Sequence, residues 1–254
     1  MARSTVADVD TSPADAPEEA HEEATDEQRS DGTETEPPRG VTPAPRQMLD
    51  QLRYLVNSRE LTGEAPLPQS IALTSSMRGE GVTTVSRAFA VVLTEDHDAN
   101  VCWVDLSWAG TDGSDDAVDD ATPPGIADVL GGAARLDDAI TVDPTTGVSE
   151  LTAGSARYRS TISYRSAQLD ATVGALAAEF DYLVFDMPPV LESSTALPLF
   201  RLAGAYLFVV RAGVTRRDQA ARSTRQLAEV PLLGTVLNRQ RSKIPAFLRR
   251  IGSD

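Results

Sequence analysis

From Ile71 to Leu93 the chain reads IALTSSMRGEGVTTVSRAFAVVL: a continuous apolar run, a glycine-rich turn, then apolar residues at helical spacing. This order constrains the fold more than any other stretch, because a buried strand passing through a glycine turn into a helix is the building unit of a doubly wound α/β sheet. It is also the layout of G-x-x-x-x-G-K-[ST] loops, in which backbone N–H groups at a helix start cradle phosphate. Gly79, Glu80, Gly81, Val82, Thr83 and Thr84 are therefore the candidate phosphate-binding residues. Val82 stands where such loops carry lysine, and Lys243 is the single lysine among 23 basic residues. The loop is expected to have kept its peptide dipoles and lost its ammonium group.

Further strands are expected at Val101 to Asp105, Glu150 to Thr152, Tyr182 to Asp186, Ala205 to Arg211 and Leu233 to Asn238, besides Ile71 to Ser75. Several are uninterrupted apolar runs, as in a parallel sheet covered on both faces. Helices are expected at Thr83 to Glu95, Gly125 to Leu130, Ser166 to Phe180 and Arg216 to Glu229. Leu169, Val173, Leu176 and Phe180 make one apolar stripe, and Thr215 with Asp218 reads as a capping box. The expected fold class is α/β, a doubly wound, mostly parallel sheet of the P-loop NTPase type. In such a sheet the carboxyl ends of neighbouring strands converge on one crevice, so Asp105 and Asp186 would both face the loop. With the Thr83 hydroxyl they suit Mg²⁺, which takes few protein oxygens and keeps several waters. Plainer roles stand beside these: GEGVTT as a tight turn with a threonine cap, Asp105 and Asp186 as strand-end caps, Met77 and Trp108 as apolar lining.

A chain of 254 residues with 41% hydrophobic content has enough apolar material for one large domain. Residues 1–45 carry 12 Asp and Glu against Arg3, Arg29 and Arg39, a net of −9 within a total of −15. With almost no large apolar side chains, this segment is expected to be a disordered acidic tail. Residues 46–69 read as an amphipathic helix, with Met48, Leu49, Leu52, Leu55 and Val56 on one side, followed by a Pro/Gly linker from Leu61 to Gln69. Residues 70–239 form the α/β body, and Gly110 to Pro124 reads as an acidic surface loop. Residues 240–254 make a basic tail; counted from Arg239, the end of the chain holds a net of +4, with Ile244, Phe247, Leu248 and Ile251 at helical spacing. Such a tail fits an anionic membrane face or a partner's juxtamembrane segment, and equally the edge of the domain. The acidic body excludes nucleic acid as a partner. Cys102 is the only cysteine, so no internal disulfide forms, and His21 and His97 make no metal cluster with it. No signal-peptide pattern and no apolar run of spanning length occurs, so the expected location is cytoplasmic, with peripheral contact at the inner face of the membrane through the basic tail.

Taken together, SS-x-x-GEG, the strand ending in Asp105, PPGIADVLGGAARLDDAI (Pro123 to Ile140), LTAGSA (Leu151 to Ala156), FDYLVFDMPPV (Phe180 to Val190) and GTVLNR (Gly234 to Arg239) resemble the bacterial tyrosine kinases of capsule and exopolysaccharide synthesis. These are relatives of the cell-division and partitioning ATPases, and the resemblance spans about Met48 to Arg239. It implies ATP or ADP with Mg as cofactor. It assigns Gly79, Gly81, Thr83 and Thr84 to the phosphate loop, Asp105 to the second acidic motif, Asp186 to the Mg²⁺ side, and Asn238 to the base. It also implies a membrane-bound polysaccharide chain-length or export protein as partner, and a homo-oligomer.

Several family features are altered. Arg78 replaces the proline before GEG, Val82 the lysine after it, and Met77 the second lysine of the partitioning ATPases. The Asp-x-Asp-x-Arg pattern has become Asp105, Leu106, Ser107, Trp108, Ala109; Glu-x-x-Arg-x-x-Arg maps to Gln47, Asp50 and Arg53. The C-terminal tyrosine cluster is missing, the last tyrosine being Tyr206. Removing one preorganised donor to developing negative charge costs about 2.7–4 kcal/mol, on the order of 10²–10³ in rate. Losing one charge-assisted hydrogen bond costs about 1.5–3 kcal/mol, which leaves micromolar to millimolar binding. The expected function is thus a degenerate, kinase-like regulatory or scaffolding partner in polysaccharide synthesis or export, its nucleotide held weakly or lost. The alternatives are an active kinase or ATPase with an atypical loop, and a membrane-positioning ATPase of the partitioning type, against which Met77 argues.

Overall fold

The structure, a computed structural model, describes residues 45–63, 65–108, 123–159 and 164–239. The expected acidic tail up to residue 44, most of the acidic loop and the basic tail from residue 240 lie outside the described residues. Helix α1 (Arg46–Leu61) leads to β1 (Ser70–Ser75), the glycine loop, α2 (Val82–His97) and β2 (Val101–Asp105). Two short helices, α3 (Ile126–Leu130) and α4 (Leu136–Ala139), precede β3 (Ile140–Val142) and β4 (Ser149–Leu151). After α5 (Ala156–Arg159) and α6 (Ala167–Glu179) come β5 (Tyr182–Asp186) and α7 (Ala196–Leu199), which runs into a 3₁₀ turn. The chain then forms β6 (Ala205–Arg211), α8 (Arg217–Gln226) and β7 (Leu232–Asn238).

The strands form one sheet in the order β3-β4-β2-β5-β1-β6-β7, parallel except where β3 runs against β4. From β1 the chain crosses through α2 toward β2 on one side, while β5 crosses back to β6 on the other. That reversal around β1 opens a crevice at the carboxyl ends of the strands.

Period-two alternation decides what each face holds. Ala72, Cys102, Val104, Leu183, Phe185, Tyr206 and Phe208 point to the face covered by α3, α6 and α7. Ile71, Leu73, Val101, Trp103, Val184, Leu207 and Val209 point to the other, against Val85, Phe89, Val92 and Leu93 of α2 and Leu52 and Val56 of α1. By the same alternation Asp105 and Asp186, two residues beyond Trp103 and Val184, point toward α2. Leu169, Leu176 and Phe180 are buried as the α6 stripe requires, and Ser166 caps that helix by accepting from Leu169 N at 3.2 Å.

Three expectations are corrected. The strand placed at Glu150 to Thr152 is Ser149–Leu151, one residue earlier, because its register is set by Cys102 opposite Ser149. The capping box placed on Thr215 and Asp218 does not form; α8 starts one residue later with a single reach-back bond, Gln219 Oε1 accepting from Arg216 N at 3.1 Å, since an arginine side chain cannot accept in return. Thr215 instead serves the glycine loop, and Asp218 pairs with Arg216 at 3.0 Å. Trp108 does not line the crevice: it is 5% exposed, packs on Tyr164, and donates from Nε1 to Asp105 O at 2.8 Å.

Candidate functional site

The glycine loop joins β1 to α2 and is held open by its own glycines. Gly79 and Gly81 have φ of +75° and +95°, a region that costs a side-chain-bearing residue strain. At Gly81 space forbids a side chain as well, since a Cβ would lie 2.1 Å from Asn238 Nδ2. Gly81 is the N-cap of α2, so its N–H and those of Val82, Thr83 and Thr84 lack intrahelical acceptors and sit at the positive end of the helix. The first helical bond in this turn is Val85 N to Gly81 O, 3.1 Å. Thr83 and Thr84 are exposed. This half of the loop can receive an anion.

The other half is satisfied internally. Glu80, only 2% exposed, accepts at Oε2 from Ser76 N at 2.9 Å and Met77 N at 3.3 Å. Its Oε1 accepts from the Thr215 hydroxyl, and Glu192 accepts from Arg78 N at 2.6 Å. Ser223 of α8 donates to the Ser76 hydroxyl at 3.0 Å. Glu80 thus ties the loop to the segment entering α8, a role in loop shape. Asn238 Nδ2 donates to Glu80 O at 2.9 Å and its Oδ1 accepts from Arg239 N at 2.8 Å. Among the described residues one N–H and one lone pair of that amide stay open to a further partner.

Val82 packs against the buried cluster on the α2 face of the sheet. No cation therefore comes from the lysine position. Arg78 is exposed, whereas Arg211 at the end of β6 donates from Nη1 to Gly79 O at 3.3 Å, placing a guanidinium against the loop that the sequence reading missed. No local pattern marks it; the β6–β7 register, in which Arg211 pairs with Asn238, brings it there.

Asp105 and Asp186 end neighbouring strands as register partners. Asp105 Oδ1 accepts from Ser107 N at 2.9 Å and Ser107 Oγ at 2.7 Å. Burial pushes its carboxyl up, opposed by the Ser107 bonds and by Arg159 and Arg87. Asp186 is fully buried, and neither carboxylate oxygen has a hydrogen-bond donor among the described residues. Burial, and after it the charge of Asp105, holds its carboxyl well above the usual range; nearby Thr83 favours the ionised form without completing a hydrogen bond. A buried carboxylate without donors is costly unless a proton or a cation accompanies it. No three His, Cys, Asp or Glu side chains converge into a metal cage among the described residues. Two carboxylates beside a threonine hydroxyl match the sparser protein ligation of Mg²⁺, and the donor-free Asp186 oxygens fit it.

The DMPP segment beyond Asp186 closes the crevice. Met187 N donates to Leu73 O and Val190 N to Ser75 O, both at 2.9 Å, while the intervening Pro188 and Pro189 have no N–H to give. The Thr74 hydroxyl donates to Pro188 O at 2.8 Å instead.

No family model matches the chain. Tyrosine-protein kinase YwqD of Bacillus subtilis is 25% identical over 195 residues, 74% of this chain and 80% of its own length. Tyrosine-protein kinase CpsD of Streptococcus agalactiae serotype III is 22% identical over 179 residues, 70% of this chain and 77% of its own. The chain is similar to bacterial tyrosine kinases. Among solved structures, the kinase domain of Escherichia coli tyrosine kinase ETK matches with a TM-score of 0.64 at 20% identity over 78% of each chain. The septum site-determining protein MinD of Pyrococcus horikoshii, complexed with Mg-ADP, matches with 0.55 at 22% identity over 72% of this chain and 76% of its own. The sheet order, glycine loop and crevice are those of a P-loop NTPase fold.

Proposed function

We propose that this chain is a tyrosine-kinase-like P-loop protein that regulates or scaffolds capsule or exopolysaccharide synthesis or export and transfers phosphate poorly or not at all. The observation that carries this reading is Val82, partly buried and packed against the core cluster, at the position where the loop needs a charged donor. The amides from Gly81 to Thr84 remain for ADP or ATP phosphates, Asn238 for the base, and Thr83, Asp105 and Asp186 are the residues that would hold Mg²⁺. Bound there, Mg²⁺ would supply neutralisation of phosphate charge. The chain's own amides orient the phosphates, but without the ammonium they offer no mobile charge to follow the transferring group, consistent with the rate loss of about 10²–10³ for one such donor. The partner fitting this role is a membrane-bound polysaccharide chain-length or export protein, met at the cytoplasmic face of the membrane. No helix among the described residues is long and apolar enough to cross a membrane.

Calorimetric titration of Mg-ATP and Mg-ADP into the wild type and Val82→Lys tests the reading. Restoring one charge-assisted hydrogen bond, about 1.5–3 kcal/mol, should tighten binding by roughly 10- to 150-fold. Wild-type protein should show no autophosphorylation. A second reading, an active kinase or ATPase with an atypical loop, is favoured by the register pairing of Asp105 with Asp186. Mg-ATP turnover by the wild type that Asp186→Asn abolishes would establish it and overturn the first.

A further inference from the structure

The loop that lost its ammonium has a guanidinium bonded to it. In the β1–β6 register Ser75, the last residue of β1, lies opposite Val209, so β6 runs two residues past the point where the glycine loop begins. Arg211 ends that overhang. By period-two alternation it shares the face of Leu207 and Val209, the face on which α2 starts. Its register partner Asn238 follows Val236 by two residues and points the same way. Two successive loop carbonyls are therefore held by side chains of adjacent strands: Gly79 O accepts from Arg211 Nη1 at 3.3 Å, and Glu80 O from Asn238 Nδ2 at 2.9 Å. The bond to Gly79 leaves most of the guanidinium's N–H donors open among the described residues.

The charge is open as well. Arg211 is partly buried and makes no ion pair among the described residues. Glu80 reaches the Thr215 hydroxyl that accepts from Arg211 N at 2.8 Å, but its oxygens are taken by Ser76 N, Met77 N and that hydroxyl. By contrast Arg87 is paired with Glu150 at 3.2 Å, Arg216 with Asp218 at 3.0 Å, and Arg78 is exposed.

We propose that Arg211 supplies from the end of β6 the positive charge that Val82 cannot, drawing a nucleotide's phosphates onto the amides of Gly81 to Thr84; resting on the nucleotide-site reading above, this makes the loop a holder of ADP and ATP alike. Anchored to Gly79 O, the guanidinium does not travel with a transferring group. A charge that favours ground state and transition state equally raises affinity without speeding transfer. At the range of a loop carbonyl, one unit charge is worth roughly tenfold or more in affinity to a phosphate, after solvent screening.

Fluorescence titration of a labelled ADP analogue with Mg²⁺ into the full chain decides the matter. Arg211→Gln, which keeps a donor for Gly79 O, and Arg211→Met should each weaken ADP by about tenfold or more, whereas Arg211→Lys, which keeps the charge, should stay within about threefold of wild type. Competition with unlabelled ATP should show the same loss. Added salt should weaken wild-type binding more steeply than that of Arg211→Gln. Neutral variants that fold, by circular dichroism, and bind ADP as wild type does would overturn the proposal. So would Arg211→Lys losing as much as Arg211→Gln, which would make the guanidinium a brace for the loop, or wild-type affinity indifferent to salt. If wild type binds no ADP while Val82→Lys does, the role of Arg211 falls and the nucleotide site stands. Absence of binding in both would defeat the nucleotide-site reading itself, and the proposal with it.

Discussion

Asp186 concentrates the cost of the site in one residue. An aspartate in an unfolded chain titrates near 3.9, roughly, and in the fold this carboxyl is held well above its usual range, chiefly by burial. The folded state therefore binds the extra proton between those two values, so its stability falls as pH rises from the ordinary aspartate range through the raised one. Asp186→Asn removes this pH dependence. Without divalent cation it should melt higher than wild type at neutral pH, with the difference shrinking to nothing in acid below the ordinary range; scanning calorimetry across pH, in chelator, measures it. A variant that melts lower at neutral pH would mean that a donor or cation stabilises the ionised carboxylate there and that its range is not raised in the fold. Gly81 makes the opposite kind of demand. With φ at +95° and Asn238 Nδ2 where a Cβ would stand, Gly81→Ala should destabilise by about 1–3 kcal/mol in urea titration. Val82 and Asp186 could be singled out from the chain alone, because local spacing marks them. Glu80 could be placed in the loop but not given its bond to Thr215, and Arg87 and Arg211 could not be singled out, since those partners lie on distant segments and only folding brings them together.

Among the elements, α1 is an added layer whose hold on the sheet is mostly apolar. Leu52 and Val56 are 1% and 2% exposed, while Arg53 reaches Asp96 at 3.0 Å and also Glu95 from a solvent-facing position. Leu52→Ala should cost about 2–5 kcal/mol by denaturant titration. Arg53→Ala should cost less than about 1 kcal/mol and lose even that in high salt. The apolar runs announced β1, β2, β5 and β6 because strands covered on both faces must be apolar throughout. Strand β3 escaped notice for the converse reason: it is three residues long, lies at the sheet edge, and exposes Thr141 and Val142. The cap of α8 was misplaced because Thr215 and Asp218 satisfy the local pattern, whereas the Thr215 hydroxyl is drawn off to Glu80 across the fold.

At the scale of the whole molecule, nucleotide should stabilise the fold only modestly. At a ligand concentration ten times a millimolar-range Kd, the gain is RT ln 11, about 1.4 kcal/mol. Mg-ADP should thus raise the wild-type Tm by a few degrees, and that of Val82→Lys by more at the same concentration, in a thermal shift assay; an equal rise in both would show that the lysine position carries no binding energy. The glycine loop also bears on rates. Because Glu80 already stitches Ser76, Met77 and Thr215 together, an arriving phosphate need not fold the turn around itself. Capture would then run at the ordinary pace of an encounter, and the missing ammonium would express itself as a brief stay: a ligand quick to arrive and quick to leave.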